Sequence, residues 1–398
     1  MSKKTLISLI SGAVVFGLIL GLGIYAFTSA KSNTSQTISS SSDTNKVVTK
    51  EKENQFLVSG WIPDWGTKEG LETIKYNSDF LDSISPVWYE ASPDGTLKNK
   101  EPKNKAEMMT LIRDKKLELI PSIASFDHEI LTPILQTQAN LDRHVSDILN
   151  LVKTNNYDGI DIDYESTKLS DKDKFFELLQ KLSAGLKKDQ KRLTVAVLPQ
   201  WGESDYPSFK ETRKVQDWTE IAKYADEIRI MTYDYTSGGS QYLGPIAPLD
   251  WQESVIKYGL IKTDKSKLSL GIHLYSYEKW IEVKDQTKNP GFDVPALKFE
   301  TDFRKTGQSE ITSRSYTFET VSKILKDYPG TKAEYQGEQL YRYSKPNNDT
   351  GILENRLMVY IDQKGVQARI DLAKKYGLKG VAFWRLGGEG ELLKGLKV

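Results

Sequence analysis

The sequence predicts an α/β fold, a (β/α)8 TIM barrel with a small α+β insertion between strands 7 and 8, preceded by an N-terminal transmembrane segment. Three observations support the barrel. Short runs rich in apolar and aromatic residues recur eight times from Phe56 onward. Amphipathic segments of helical period separate most of them, as in a parallel barrel. No glycine-rich phosphate turn follows the first run, which disfavours a doubly wound open sheet, the alternative fold.

The first 54 residues differ in composition from the rest. Lys3 and Lys4 precede a largely apolar, uncharged run, Thr5–Phe27, which is long enough to span a bilayer with its N-terminus inside. We expect residues 1–30 to be a membrane anchor or, alternatively, a signal segment cleaved after 28–30. Residues 31–54 are rich in Ser, Thr, Asn and Lys, which predicts a flexible linker. The domain 55–398 is then extracellular, held at the cell membrane or secreted.

The eight predicted strands follow one another with regular spacing as far as the seventh. Helices are predicted between them, for example over 171–187 and 216–224. The strand stretches are FLVSGWIPDW from Phe56, SISPVWYEA from Ser83, LELIPSIASF from Leu117, YDGIDIDYE from Tyr157, RLTVAVLPQW from Arg192, EIRIMTYDY from Glu227, LSLGIHLYS from Leu268 and GLKGVAFWRLGG from Gly377.

The gap between the seventh and eighth strands is about 100 residues, far more than one β-α unit needs. Within it, 317–327 reads as a helix and 332–344 as a hairpin that turns at Gln336 and Gly337. A helix over 363–376 follows, with Asp362 as a candidate N-cap. We expect about 290–350 to form an insertion that deepens a cleft on the catalytic face of the barrel.

Composition excludes several classes of function. The absence of cysteine excludes disulfides, thiolate catalysis and cysteine–zinc sites. The three histidines, His128, His144 and His273, form no pair with metal-ligand spacing. A net charge of +1 gives no electrostatic reason to expect nucleic acid as a partner. We therefore expect a monomer with no metal and no cofactor.

Acidic residues occupy every second position of one predicted strand. Asp161, Asp163 and Glu165 alternate with apolar and aromatic residues, so the acidic side chains share one face. In a barrel that face is the interior, where neighbouring carboxylates raise one another's pKa. Glu165 is at the C-terminal end of the strand, where barrel active sites lie, and is the natural proton donor. An exposed acidic edge strand and a divalent-metal site are the alternatives.

These residues resemble family 18 of the glycoside hydrolases, the chitinase-like enzymes. The DxxDxDxE signature of that family appears here as Asp158, Asp161, Asp163 and Glu165. MTYD, from Met231 to Asp234, matches the MxYD pattern of the sixth strand. SISPVWYEASPDG, GPIAPLDW and AFWRLGGE are similar to the bacterial branch of spore-cortex and cell-wall hydrolases. The resemblance covers the chain from about Phe56 to the C-terminus.

The resemblance implies substrate-assisted hydrolysis of glycans that contain N-acetylglucosamine, in peptidoglycan or chitin. Glu165 would be the acid and base, and the 2-acetamido group of the sugar would be the nucleophile. Asp163 would hydrogen-bond the acetamido N–H, Asp161 would share a proton with Asp163, and Tyr233 would hold the acetamido carbonyl. One departure is visible: the SxGG pattern of the third strand is Ser122-Ile123-Ala124-Ser125 here. A chitinase-like lectin without activity and a metal-dependent hydrolase are the alternative functions.

Aromatic side chains at the ends of the predicted strands would provide flat faces for sugar rings. The resemblance places a tryptophan, Trp384, under the reactive sugar. The further candidates for substrate binding are Asp234, Met231, Trp201, Trp61, Trp88 and Tyr360.

Overall fold

Eight parallel strands close into a barrel in the computed structural model, which describes residues 55–202, 210–240, 243–281 and 311–398. Each strand pairs with its neighbours, and the first pairs with both the second and the last, which closes the sheet. The barrel prediction is therefore confirmed. The barrel strands are β1 (Leu57–Ile62), β2 (Ser83–Ala91), β5 (Ser122–Ser125), β6 (Gly159–Tyr164), β7 (Arg192–Val197), β8 (Glu227–Ile230), β9 (Leu268–His273) and β15 (Gly380–Trp384); β3 (Leu97–Asn99) and β4 (Glu118–Leu119) pair with β2.

Helices follow the barrel strands and bury one apolar face against the sheet. The helices predicted over 171–187 and 216–224 are present as α5 and α7. Described helices are α1 (Thr67–Asn77), α2 (Lys105–Asp114), α3 (His128–Gln136), α4 (Gln138–Asn155), α5 (Lys172–Lys188), α6 (Lys210–Val215), α7 (Trp218–Tyr224), α8 (Leu249–Lys262), α9 (Phe318–Asp327) and α10 (Gln363–Lys375).

An inserted sheet separates β9 from the last helix and strand of the barrel. It has five antiparallel strands in the order β11-β10-β14-β13-β12, and α9 packs on one of its faces. The predicted hairpin is present, with its turn at Gln336 and Gly337, and Asp362 caps α10 by accepting from the N–H of Gly365. The strands are β10 (Tyr275–Ile281), β11 (Ile311–Thr317), β12 (Gly330–Tyr335), β13 (Glu338–Pro346) and β14 (Leu353–Tyr360).

The insertion is larger than the predicted 290–350. Its first strand starts at Tyr275, two residues after β9, within the stretch 268–276 that the sequence predicts to be a single barrel strand. The chain leaves the barrel at Leu274, whose N–H donates to the carbonyl of Trp384 at 2.7 Å. Because β9 and β10 have the same apolar and aromatic character, composition alone does not show this break. The part of the insertion over 282–310 lies outside the described residues.

Buried ionic contacts fix the inserted sheet to the barrel. Glu338, at the start of β13, accepts from the backbone N–H groups of Ile246 and Ala247 at 2.7 Å each. Arg369, on α10, donates to Glu338 at 3.0 Å and to the carbonyl of Ala247. Both side chains are fully buried, so these bonds are made away from water, where an unpaired charge would be costly. The sheet is thus held rigidly beside the mouth of the barrel.

Residues Asn54–Val398 form one compact unit with its own core. The predicted anchor over 1–30 and the predicted linker over 31–54 lie outside the described residues. No helix within the described ranges is long and apolar enough to cross a membrane.

Candidate active site

The acidic column lies inside the barrel, as the alternation along β6 predicts. Ile160 and Ile162 pack into the core between the sheet and the helices, whereas Asp161 and Asp163 point into the barrel. Glu165 follows the last residue of β6, and its N–H donates to the carbonyl of Ser125 at 2.9 Å. Its side chain is half-buried at the C-terminal mouth. The three carboxylates therefore lead from the interior to the opening.

Asp161, the deepest of the three, is surrounded by hydrogen-bond donors. Trp61 donates its indole N–H at 2.9 Å, and Ser122 and Thr194 direct their hydroxyls at the same carboxylate. The guanidinium of Arg229 lies 3.5 Å from the Oδ1 atom of Asp161. Since Trp and Arg can only donate, these contacts hold the Asp161 carboxylate in one fixed orientation.

Asp163 has the opposite environment. It is almost fully buried, and within the described part of the chain its Oδ1 atom has no hydrogen-bond partner. Burial, with the negative charges of Glu165 and Asp161, raises the pKa of Asp163 well above its ordinary value. Protonation of Asp163 is therefore favoured relative to an exposed aspartate, and its Oδ1 atom has no partner among the described residues that would compete with a ligand.

Glu165 is poised near neutrality. Burial and the negative charge of Asp234 raise its pKa to about 7. Asp234 itself accepts from the hydroxyls of Tyr275 and Tyr277, at 2.6 and 3.0 Å. Burial raises the pKa of Asp234, and the two tyrosine hydrogen bonds partly offset that rise. Glu165 is consequently protonated in a large fraction of molecules at neutral pH, which suits a general acid.

Tyr233 completes the group of polar side chains at the mouth. Burial raises the pKa of its hydroxyl far above the usual range, and the charges of Asp163, Glu165 and Asp234 act in the same direction. The three carboxyl groups are therefore near enough to Tyr233 to interact with it electrostatically. The Tyr233 hydroxyl remains a neutral hydrogen-bond donor at any physiological pH.

An apolar floor lies beside the carboxylates. Trp61 and Met231 are buried in one cluster, on which the half-buried Tyr233 and Trp384 pack. The rings of Trp61 and Trp384 meet edge to face, with centroids 6.2 Å apart. Of the sequence-predicted residues, these four and the acidic column come together in the structure. The floor explains why the carboxylates are poorly solvated, because apolar walls replace water on that side.

Trp201 lies at the rim, with 39% of its surface exposed. Its ring packs edge to face against Trp251, with centroids 5.7 Å apart, and Trp251 also contacts Tyr235. Tyr235 and Trp251 are residues that the sequence reasoning missed. Tyr235 directly follows the MTYD stretch, and Trp251 is the last residue of GPIAPLDW. Their position in or next to these motifs could have identified both residues as candidates for the site.

Two predicted binding residues are not at this site. Trp88 is fully buried between the barrel and its helices, against Tyr157, because it is on the outward-facing parity of β2. Tyr360 is buried beneath α9 on the far face of the inserted sheet, near Phe318. The sequence shows that an aromatic residue is near a strand end, but not which face of the strand it is on. Both predictions were wrong for this reason.

Below the column, the barrel contains an ionic network that the sequence reasoning also missed. Arg229, fully buried on β8, donates to the hydroxyl of Ser85 at 2.6 Å and lies 3.3 Å from the carboxylate of Glu227. Glu227 accepts from Arg192 at 2.6 Å and from Ser269 at 2.7 Å. Glu227, Arg229 and Met231 occupy every second position of the sequence, so their side chains share one face of the strand. This alternation could have predicted the inward-facing charges.

The remaining motif residues have structural contacts. Asp158 accepts from the N–H of Leu119 at 2.9 Å at the start of β6, far from the mouth. On the third barrel strand, Ser122 contacts Asp161, and Ala124 pairs in register with Asp163. The missing glycine thus places a methyl group beside Asp163, on the interior face.

Comparisons with known proteins agree with this geometry. A family model described as "Glycosyl hydrolases family 18" matches residues 23–389. The uncharacterized glycosylase YvbX of Bacillus subtilis is 23% identical over 340 residues, which cover 80% of this chain and 86% of YvbX. A cortical fragment-lytic enzyme of Bacillus anthracis is 21% identical over 358 residues, which cover 82% of this chain and 74% of that enzyme.

Two solved structures share the fold. The spore cortex-lytic enzyme SleL of Bacillus megaterium superposes with a TM-score of 0.67 at 20% identity, over 83% of this chain and 71% of SleL. A chitinase of Chromobacterium violaceum superposes with a TM-score of 0.70 at 16% identity, over 85% of this chain and 96% of the chitinase. At these identities the superpositions establish the architecture of the barrel.

Proposed function

The chain belongs to family 18 of the glycosyl hydrolases and is a glycoside hydrolase; from this premise we propose that it cleaves β-1,4 bonds in glycans that contain N-acetylglucosamine, by substrate-assisted catalysis. Peptidoglycan is the substrate that we favour. The observation that carries the proposal is the paired environment of two carboxylates. Burial and Asp234 raise the pKa of Glu165 to about 7 at the mouth, and just below it the pKa of Asp163 is also raised and its Oδ1 atom has no partner among the described residues.

In the proposed reaction Glu165 donates its proton to the departing glycosidic oxygen. The carbonyl oxygen of the 2-acetamido group attacks the anomeric carbon from the opposite side and forms a cyclic oxazolinium ion. Glu165, now ionised, takes a proton from the incoming water as that water opens the ring. The same carboxyl acts first as acid and then as base, which requires a pKa near the working pH.

Asp163 and Tyr233 position the nucleophile. The free Oδ1 atom of Asp163 accepts from the acetamido N–H and supports the positive charge of the oxazolinium ion. The Tyr233 hydroxyl donates to the acetamido carbonyl, so the attacking oxygen is held beneath the anomeric carbon. The apolar floor of Trp61, Met231 and Trp384 receives the sugar face and the acetyl methyl group. Holding the nucleophile in this way replaces a bimolecular encounter. For ideally aligned groups this lowers the activation free energy by roughly 7–11 kcal/mol.

The choice of peptidoglycan rests on the relatives and on the predicted export. Cortical fragment-lytic enzymes and a spore cortex-lytic enzyme are among the matching proteins. The apolar run over 5–27 favours an anchor in the cell membrane, with residues 55–398 outside and in reach of the wall. A chitinase is also among the similar structures, so chitin is the second candidate substrate.

The test is a digest of purified peptidoglycan and of chitin oligomers by residues 54–398, with the new reducing ends identified by mass. We expect N-acetylglucosamine at the new reducing ends of peptidoglycan fragments. Glu165→Gln protein is the blank for contaminating hydrolases. Cleavage of chitin oligomers alone would move the substrate assignment to chitin, and N-acetylmuramic acid at the new ends would contradict the bond that we propose.

A thiazoline analogue of the oxazolinium ion tests the chemistry separately. We expect competitive inhibition, because the analogue fills the site between Asp163 and Tyr233. Absence of inhibition, together with normal cleavage of substrates that lack the N-acetyl group, would exclude neighbouring-group participation. A chelator should have no effect, whereas loss of activity would favour the metal-dependent alternative. Tight binding of oligomers without turnover would favour the lectin alternative.

A further inference from the structure

The base of the barrel, opposite the mouth, is strongly basic. All the α/β units of a parallel barrel have the same direction, so their helices end at one side. The last turns of α1, α2, α4, α5, α7, α8 and α10 each contain Lys or Arg. The first turns of five of these helices, α1, α2, α5, α7 and α8, contain Asp or Glu. The whole chain is nearly neutral, at +1, but its charges are segregated between two faces.

Favourable interaction with helix dipoles explains part of this pattern, since each C-terminus favours a cation. It does not explain the basic residues that lie beyond the helices, such as Lys116 and Lys265. We use the name basal lysines for six exposed residues of this face, Lys116, Lys153, Lys187, Lys188, Lys265 and Lys374. In the described part of the chain the first five form no ion pair with a carboxylate. Their charge is therefore directed at solvent.

Three acidic residues of the same face are used internally. Asp82, Asp158 and Asp226 are half-buried, and each accepts from a backbone N–H at the start of a neighbouring strand, at 2.8 to 2.9 Å. These carboxylates close the barrel from below. They do not extend outward to pair with the basal lysines. Asp114, Asp189 and Asp264 are exposed on this face, but the basic residues in the last turns of seven helices outnumber them, so a flat partner would meet mainly positive charge.

Two exposed apolar side chains lie among the basal lysines. Tyr76, in the last turn of α1, is 76% exposed, and Ile261, in the last turn of α8, is 80% exposed. Side chains of this kind, beside lysines, favour the boundary between water and lipid, where the apolar group enters the headgroup region and the cation stays outside. A dissolved anionic polymer would use the lysines but would offer nothing to the exposed Ile261.

The polypeptide enters the barrel at this face. The N–H of Leu57 donates to the carbonyl of Lys379 at 2.9 Å, and the Lys374 ammonium lies 5.4 Å from the centre of the Phe56 ring. The predicted linker over 31–54 is therefore joined to the basic side of the domain. A polybasic surface next to a membrane segment is a common determinant of binding to anionic lipid.

We propose that the base of the barrel docks on the surface of a membrane rich in anionic phospholipid. The basal lysines meet the phosphate groups, and Tyr76 and Ile261 enter the headgroup layer. The acidic mouth then faces away from the bilayer, toward the glycan. This inference concerns the domain itself, and it holds whether residues 1–30 anchor the chain or are removed.

The test is co-sedimentation of residues 54–398, the compact unit, with phosphatidylcholine vesicles that contain either no phosphatidylglycerol or about 30% of it. We expect binding to the anionic vesicles only, with loss of binding between about 0.05 and 0.5 M salt. The variant K187E/K188E should bind at least roughly tenfold more weakly. The matched control K68E/K103E, which changes charge equally at exposed positions near the mouth, should bind like the unchanged domain.

A double variant that lacks the two exposed apolar side chains distinguishes a membrane from a soluble polymer as the partner. Tyr76→Ser with Ile261→Ser should weaken vesicle binding but leave its salt dependence intact. Equal binding to both kinds of vesicle would overturn the proposal. So would normal vesicle binding by these apolar variants combined with equally tight binding to soluble poly(glycerol phosphate), which would indicate a wall polymer instead. Glu165→Gln should bind vesicles normally, so failure of this proposal is separable from failure of the proposed catalysis.

Discussion

Two glutamates inside the same barrel have opposite proton affinities. Glu165, at the mouth, has a pKa raised to about 7 by burial and by Asp234. Glu227, deep in the barrel, is fully buried, which opposes ionisation, yet the charges of Arg229 and Arg192 lower its pKa to about 2. Burial acts on both groups in the same direction, so the neighbouring charge decides the outcome. Glu227 in the lower barrel pairs with arginines, whereas Glu165 at the mouth meets the negative charge of Asp234.

The difference shows where the protein tolerates electrostatic strain. Deep in the barrel, Asp161 and Glu227 each meet an arginine and a hydroxyl. At the mouth, Oδ1 of Asp163 has no partner within the described part of the chain, and the negative charge of Asp234 raises the pKa of Glu165. Groups with raised pKa values in a cleft are typical of catalytic sites. Single substitutions at the mouth and in the lower barrel test this comparison.

The largest effect is expected at the mouth. Glu165→Gln removes the only proton that we assign to the leaving group, while the amide keeps the shape of the side chain. We expect turnover to fall roughly 1000-fold, within the usual range for loss of a general acid. Binding of N-acetylglucosamine oligomers, measured by calorimetry, should change little. Turnover that survives this substitution would show that the acid has been misassigned.

The next effect is expected in the lower barrel. Arg229→Met leaves Asp161 and Glu227 with fewer countercharges in a buried site, and loss of one partner of a buried ion pair costs about 3–5 kcal/mol. We expect the free energy of unfolding, measured by denaturant titration, to fall by about that amount. Arg229→Lys should lose less.

Arg113→Met is the matched control for the arginine substitution. Arg113 is exposed in the last turn of α2, and removal of its charge should change the free energy of unfolding by less than about 0.5 kcal/mol. If both methionine variants are equally stable, the lower network does not carry the stability that we assign to it.

The smallest effect concerns pH. A general acid must be protonated, so activity is lost as the pH rises through the pKa of Glu165, about 7. Asp234→Asn removes a negative charge that favours the protonated form, and the pKa of Glu165 falls. The alkaline limb of the profile of kcat against pH should therefore move to lower pH, by about half a unit to one unit.

The exposed Asp371, on α10, provides the control for that shift. Asp371→Asn should leave the alkaline limb in place, since the side chain lies on the outside of the barrel and hydrogen-bonds Gln367. An alkaline limb that does not move in Asp234→Asn, or that moves upward, would mean that Asp234 does not control the proton on Glu165.

The sequence by itself determined the barrel, the acidic column and the helices. These features follow from local periodicity, because alternation along β6 assigns Asp161 and Asp163 to one face whatever surrounds them. The segregation of charge between mouth and base also begins locally, as lysines at helix ends.

Only the tertiary structure decided which side chains share a space. Trp88 and Tyr360 are aromatic residues near the ends of their strands, as Trp384 is, but packing buries them elsewhere. One of the countercharges that distinguish Glu227 from Glu165, Arg192, comes from a different strand, and Tyr275 and Tyr277, which donate to Asp234, are also distant from it in sequence. Proton affinity depends on distances through space, and a strand pattern contains no information about the neighbours that closure of the barrel brings together.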